Sequence, residues 1–373
     1  MTSSDNEQSL AGPGATPRPT LAAVAAEAGV AVSTASLAFS GKGPVAEATR
    51  AAVRAAAERV GYRGPDPRAA SFRTGRSRVI GVVLEGAVQS AFRDPVQLIE
   101  VDAIAERLSE VGYGMLLLPG AEDDALLGGT AMDAAILLGC SPRAVTAARS
   151  LQQLSLPLVT IDGVALAHEE DLAVVANLGV DSRAASAELA RLVAAAGHSR
   201  VAMVTLPLGE DRSAGAFTGA ELAAMSAATI SIATERARGV GEVFSDLSGW
   251  MAADSTIADG LRAGRALLAG RADRAGRGRP TAVIAQSDLL AVGVIRAAEE
   301  AGLRVPEDLS VVGFDGVVVD GFPEGRLTTV RQPLRALGLA AAQALLAELA
   351  GEPVALPRFS AELVPGHTVA PPP

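Results

Sequence analysis

The stretch TLAAVAAEAGVAVSTASLAF, Thr20–Phe39, sets two short apolar pieces on either side of a single glycine. Thr20 is placed to cap a helix over Leu21–Ala28, and Gly29 to end it. A second helix is expected from Val32 to about Phe39. Helices of about two turns are marginal in water by themselves, so these two must serve a compact unit. A third amphipathic pattern runs from about Ala46 to Val60 and stops at Gly61, after the GKGP turn at Gly41–Pro44. Three such helices, the first two joined by a glycine turn, make a helix-turn-helix unit. In that motif only the outward N-terminal face of the second helix reaches base edges in a major groove, so the helix can be short. Here Val32, Ser33, Ser36 and Leu37 are expected to point outward, with Ala35, Ala38 and Phe39 packed inward. Ordinary helical hairpins share this spacing, and charge separates the two readings.

The chain of 373 residues carries a net charge of −10, which looks wrong for a nucleic-acid binder. That average hides a split. Residues 16–78 hold ten basic side chains against four acidic ones, and the remainder is strongly acidic. A basic head on an acidic chain points one end at phosphates. Residues 1–19, rich in Ser, Gly, Pro and Thr, read as a disordered tail. Residues 20–64 form the helical head, and PDPRAASFRTGRSR at 65–78 has the composition of a linker. The N-terminus MTSSDNEQSL lacks the basic start and apolar run of a signal peptide, and no apolar run reaches membrane-spanning length. One cysteine, Cys140, cannot form an internal disulfide. A cytoplasmic protein is expected.

From residue 79 the pattern changes. VIGVVL, MLLLP, AAILLG, PLVTID, VAMVT, AVIAQSD and SVVGFD are apolar runs of strand length. They alternate with helical stretches such as LIEVDAIAERLSEVG and LLAVGVIRAAEEAG. Such alternation builds parallel sheets covered by helices on both faces, and the number of strands calls for two α/β lobes. The expected fold is therefore an all-α helix-turn-helix head followed by an α/β body of two doubly wound parallel-sheet lobes. One lobe covers about 79–177 with 331–361, and the other about 178–330 with 362–370. Ligands in such folds sit outside the carboxyl ends of the strands, which singles out Asp162, Asp288 and Asp315.

With these residues in view, the chain from Thr20 to about Thr368 resembles the lactose-repressor (LacI/GalR-type) family of bacterial transcription regulators. The resemblance is carried in order by TLAAVAAEAGVAVSTASLAFSGKG, ERVGY at Glu58–Tyr62, PDPRAASF, AAGHSRVAMV, LLAVG, VPEDLSVVGFDG and LTTVRQP. It implies a homodimeric repressor on near-palindromic operator DNA. The DNA contacts it implies fall on Thr20, Leu21, Val32, Ser33, Thr34, Ser36, Leu37, Ser40 and Thr49. Hinge helices carrying Arg68, Ala69 and Phe72 would then wedge Phe72 into the minor groove, where leucine is usual. Leu37 stands where the family often has an arginine, so it can touch a thymine methyl but cannot bridge a guanine. Ser40 replaces a usual asparagine, and Ala46 a usual Ser or Thr before the third helix.

The resemblance also implies a body like that of periplasmic sugar-binding proteins, closing on a small-molecule effector such as a sugar. Residue by residue it carries binding roles to Asp162, Arg236, Ser287 and Asp315, with Ser287 in place of an asparagine. A carboxylate facing a guanidinium suits a polyol, whose vicinal hydroxyls donate to one and accept from the other. Asp288 and His198 are expected to be structural. Trp250 and Phe322 are candidates for stacking on a sugar or for core packing, and Pro207–Thr234 reads as a mobile flap or a further source of ligand contacts. No heptad-patterned tail follows the PPP end, so a dimer is expected rather than a tetramer.

Nothing supports catalysis: GxSxG, the P-loop and a complete GxGxxG are missing, and GVGEVF at Gly239–Phe244 lacks the last glycine. His168, His198 and His367 have no metal-site spacing, so neither metal nor cofactor is expected. Two rival readings remain at this level: a solute-binding protein with an incidental head, and a sugar-processing enzyme with a DNA-binding head.

Overall fold

The computed structural model describes residues 19–40, 43–64, 75–84, 88–120, 124–139, 143–208, 212–269 and 278–373. The hinge residues Arg68, Ala69 and Phe72 lie outside these, as do 1–18. The chain divides into two compact units, Met1–Ser77 and Arg78–Pro373.

In the first unit, α1 (Leu21–Ala28), α2 (Val32–Ser40) and α3 (Glu47–Val60) surround one small core. Thr20 Oγ1 accepts the Ala23 N–H at 3.2 Å, capping α1. Gly29 takes φ 65°, and its N–H closes the helix onto Ala25 and Ala26. The chain then bends by 103° into α2, within the range of helix-turn-helix units. The small side chains at Ala25, Ala35, Ala38, Ala56 and Ala57 let the three helices approach, and Val24, Val53 and Tyr62 fill the centre. Phe39 meets Tyr62 edge-on at 5.2 Å between ring centres. Arg59 on α3 pairs with Glu27 on α1 at 2.7 Å, a surface contact of small energetic value. Ala46 precedes α3 without any side-chain cap.

The second unit contains two parallel sheets. The first comprises β1 (Val79–Leu84), β2 (Gly114–Pro119), β3 (Ala134–Leu138), β4 (Leu158–Ile161) and β5 (Ala176–Leu178), in the order β2-β1-β3-β4-β5. Alternate strand residues face opposite sides. Ile80, Val82, Ile136 and Val159 meet Ile104 and Leu108 of helix Pro95–Glu110 and Leu337 and Ala341 of helix Leu334–Ala350. On the other face Val83, Leu137 and Leu158 meet Ala144 and Leu151 of helix Arg143–Gln153.

The second sheet is built from β6 (Val201–Thr205), β7 (Gly215–Phe217), β8 (Ser248–Met251), β9 (Ala282–Ala285) and β10 (Ser310–Val312). Its order is β10-β9-β6-β8-β7, with β7 antiparallel on the edge. Helices Ser182–Ala195 and Ile232–Gly241 cover one face, and Ile257–Leu268 and Asp288–Glu300 the other. A short antiparallel pair, β11 (Thr329–Arg331) and β12 (Glu362–Val364), lies where the chain leaves and re-enters this lobe. His198 holds the chain end there: its ring nitrogens contact Thr281 Oγ1, Ser310 Oγ and the Ala370 carbonyl at 2.8–2.9 Å.

The Pro207–Thr234 stretch, read as a mobile flap or a further source of ligand contacts, contains regular structure. Its described part forms β7 and the helix Gly219–Ala228, fixed by reciprocal capping between Thr218 and Glu221. Phe217 and Leu222 are buried in the lobe core. Trp250 and Phe322 likewise pack against the core of this lobe. Among the described residues no single helix is long and apolar enough to cross a membrane.

Two substitutions test this packing. A Cβ on Gly29 meets nothing within 4 Å, so Gly29→Ala carries only the left-handed backbone penalty. It should destabilise the head by about 1 kcal/mol, read as faster amide exchange in α1. By contrast, a Cβ on Gly293 would sit 2.3 Å from the Ile257 carbonyl oxygen and 2.5 Å from the Leu261 nitrogen. Gly293→Ala must push two helices apart, and denaturant unfolding should show a loss of about 3 kcal/mol or more.

Candidate functional site

The carboxyl ends of both sheets carry the polar residues singled out in the sequence. Asp162 follows β4, Gln286 and Ser287 follow β9, and Asp315 lies three residues past β10. Asp162 and Asp315 both take positive φ, 59° and 120°. Non-glycine residues persist there only when their surroundings enforce it, and such residues gather at functional sites. Asp315 is held by Val330, whose carbonyl accepts its N–H at 2.8 Å, and by the Gln332 N–H, which donates to the Asp315 carbonyl at 3.0 Å.

Arg236, on helix Ile232–Gly241, is buried with its guanidinium stacked on the Phe314 ring, 3.7 Å from the ring centre. Its Nη1 donates to the Gln286 carbonyl and to Asp315 Oδ1, the latter at 3.4 Å. Asp315 Oδ1 also accepts from Gln332 Nε2 at 3.0 Å. Gln286 is occupied elsewhere: its side chain accepts from the Leu206 N–H and donates to the Ala233 carbonyl. The structure thus brings Arg236 and Asp315 into direct contact. Asp162 feels the charge of Arg236, which favours its ionised form, although burial outweighs this and raises its pKa. Asp315 is raised well above the usual carboxylate range, chiefly by burial and despite Arg236.

Ser287 has a different occupation. Its hydroxyl caps helix Asp288–Glu300 by accepting the Leu290 N–H at 3.2 Å, and it lies 2.8 Å from the Ser255 hydroxyl. Asp288 is structural, as expected, but it does not tie down its own helix. It accepts from Thr329 Oγ1 and from the Val317 N–H, fixing the turn after Asp315 against the crossover strand.

Two acids escaped sequence reasoning. Asp94 caps helix Pro95–Glu110 through the Val96 N–H at 2.9 Å, and burial and the charge of Asp254 raise its pKa. Glu100, on the same helix, is buried, and its Oε1 has no partner. Burial first, and then the charges of Asp162, Asp94 and Asp315, push it well up. The only trace in the sequence is a glutamate on the apolar stripe of LIEVDAIAERLSEVG.

In the head, Val32, Ser33, Ser36 and Leu37 are exposed on α2, while Ala35 and Ala38 are buried. Thr34, Leu21 and Thr49 are half-buried, and the Thr20 hydroxyl is engaged as a cap. Ser40 is the last residue of α2.

A helix-turn-helix unit in one chain with a two-lobed body, whose strand ends surround a buried Arg–Asp pair, defines a ligand-controlled DNA-binding regulator. Residues 20–64 match the family model for bacterial regulatory proteins of the lacI family, and 190–369 match a periplasmic binding protein-like domain. A helix-turn-helix-type transcriptional regulator of Mycobacterium tuberculosis is 32% identical over 371 residues, covering 95% of this chain and 98% of the relative. MalR of Streptomyces coelicolor is 30% identical, covering 89% and 91%. The chain belongs to the lacI family of bacterial transcriptional regulators. Among solved structures, the complex of the transcriptional regulator CelR with cellobiose is 26% identical with a TM-score of 0.59, covering 94% of this chain and all of that one (100%). The lac repressor dimer bound to operator and the anti-inducer ONPF has a TM-score of 0.70 at 20% identity, covering 95% and 99%, and so shares the fold. Relatives that match head and body together set aside the reading as a solute-binding protein with an incidental head.

Burial pushes the Asp288 carboxyl from its ordinary 3.8 up to about 7. Between these values the folded chain holds a proton that the unfolded chain releases, so this group's contribution to stability falls as pH rises and levels off above about 7. Asp288→Asn has no charge to bury. Its stability relative to the native chain should therefore climb with pH by up to roughly 1.4 kcal/mol per unit crossed. Denaturant unfolding of both proteins across that window measures it; a constant difference would exclude burial of the charge as the cause.

Proposed function

We propose that the chain is a cytoplasmic, homodimeric repressor whose operator affinity is set by a small hydroxylated metabolite, a sugar or a near relative, bound between the two lobes. The contact of Arg236 with Asp315 carries this reading. The pair is buried at the strand ends, and the Arg236 Nε remains without a partner. A guanidinium and a carboxylate held side by side offer vicinal hydroxyls one donor and one acceptor. The cellobiose bound by CelR supports the same ligand class. The cleft binds without turning its ligand over, in keeping with regulators as the relatives along the whole chain.

The effector acts only through a difference in its affinity for two arrangements of the lobes. On the DNA side, the exposed face of α2, with Val32, Ser33, Ser36 and Leu37, enters the major groove. Arg68, Ala69 and Phe72 form the hinge at the minor groove, and Asp162 and Ser287 complete the effector contacts.

Two experiments test the two ends. With an operator obtained by unbiased selection and a panel of neutral and amino mono- and disaccharides, native protein should release DNA in the presence of at least one member of the panel. Asp315→Ala should bind the operator with unchanged affinity and no longer release it. Release by Asp315→Ala would remove that residue from the effector site. In the head, Leu37→Arg should move the selected half-site toward guanine at one position, with discrimination of about 1–3 kcal/mol. An unchanged half-site would show that Leu37 does not read bases.

A further inference from the structure

Around the Arg236–Asp315 pair, the buried polar atoms without partners are mostly acceptors. Among the described residues, Glu100 Oε1, Asp162 Oδ1 and Gln332 Oε1 accept no hydrogen bond, and Arg236 Nε donates none. Gln332 is itself buried and has turned its amide nitrogen to Asp315, leaving its oxygen free. Glu100 is 3% exposed and sits close enough to Asp162, Asp94 and Asp315 to feel the charge of each. Asp94 is satisfied by its helix cap and by Gln97, and Asp288 by Thr329 and Val317. Glu100 and Asp162 are not. The guanidinium of Arg236 acts on Asp162, Asp288 and Asp315, whereas the charges that bear on Glu100 are those of three carboxyls, Asp162, Asp94 and Asp315.

Buried acceptors without partners are costly, and buried like charges without a counter-charge more so. A ligand relieves both by bringing donors and positive charge. Phosphorylated or acidic metabolites bring the opposite. A neutral polyol supplies donors and leaves the charge uncompensated.

We infer that the effector carries a protonated amine on a hydroxylated frame, an amino sugar or amino polyol, with its ammonium between Glu100 and Asp162 and its hydroxyls on Arg236 and Asp315. This rests on the effector site proposed above and names the ligand class. An ammonium has three donors and no acceptor, which matches Glu100 Oε1, Asp162 Oδ1 and Gln332 Oε1 in number and kind. Burial and the neighbouring carboxyls favour the protonated form of Glu100, and an arriving cation favours the ionised form, sending the proton to solvent. Binding is therefore coupled to proton release and tightens as pH rises through the range in which Glu100 gives up its proton.

Calorimetry on the full chain tests this with matched pairs: glucosamine against glucose, and galactosamine against galactose, each in two buffers of different ionisation enthalpy. At least one amino sugar should bind about tenfold more tightly than its neutral partner, with proton release. Glu100→Gln should cut that preference by about tenfold, abolish the proton release, and leave the neutral partner within about twofold. Asp162→Asn provides a second variant on another element should Glu100→Gln unfold. Equal or tighter binding of the neutral sugars overturns the inference, as does the absence of binding by either amino sugar at millimolar concentration. Operator release by a neutral sugar, lost in Asp315→Ala, would leave the effector site standing and remove only the amine.

Discussion

The guanidinium of Arg236 is the charge on which the body of this protein turns. It is stacked on Phe314, held by the Gln286 carbonyl and set against Asp315. A buried ion pair contributes little net stability, because desolvation offsets the attraction, yet removing one partner is severe. The rest of the lobe is arranged to hold it in place. Gln286 fastens the helix carrying Arg236 to β6, through the Ala233 carbonyl on one side and the Leu206 N–H on the other. Asp288 pins the turn after Asp315. Residues read from the sequence together are therefore of two kinds: Arg236 and Asp315, which meet as a pair, and Asp288, which holds the turn beside them.

The head was legible almost to the residue, because its signals are local. A threonine cap, a left-handed glycine and alternating small residues act within a turn or two of their own position, and α1 and α2 follow from them. The long strands were legible for the same reason: VIGVVL and AAILLG are continuous apolar runs. The short strands β5, β7, β8, β11 and β12 were not, because three or four residues such as Ala176–Leu178 carry no periodicity of their own. Their pairing is decided by neighbours distant in the chain. Composition gave no hint of β7 and the helix Gly219–Ala228 within Pro207–Thr234, because their glycines and alanines carry no apolar periodicity.

The site was legible where an acid follows an apolar run, as at Asp162 and Asp315. Positions that draw their meaning from tertiary contact were not. Glu100 looks like any glutamate of an amphipathic helix until helix Leu334–Ala350, more than two hundred residues later, packs beside it. Asp94 reads as an ordinary cap. Ser287 came from the family pattern, and the structure gives its hydroxyl a second duty at the start of a helix, one that a longer asparagine would meet with a different reach.

The distribution of acids bears on how such a body can switch. Asp94 belongs to the first lobe and Asp254 to the second, and the charge of Asp254 makes Asp94 harder to ionise. Glu100 on the first lobe feels the charge of Asp315 on the second in the same sense. Bringing the lobes together raises these repulsions, so with nothing between them closure is opposed by the cleft's own charge. A ligand that merely filled the space would bind both arrangements alike and shift neither. One that gives donors and positive charge to carboxyls on both lobes gains most where they are nearest. Its affinity then differs between the two states, which is the condition that an effector has to meet.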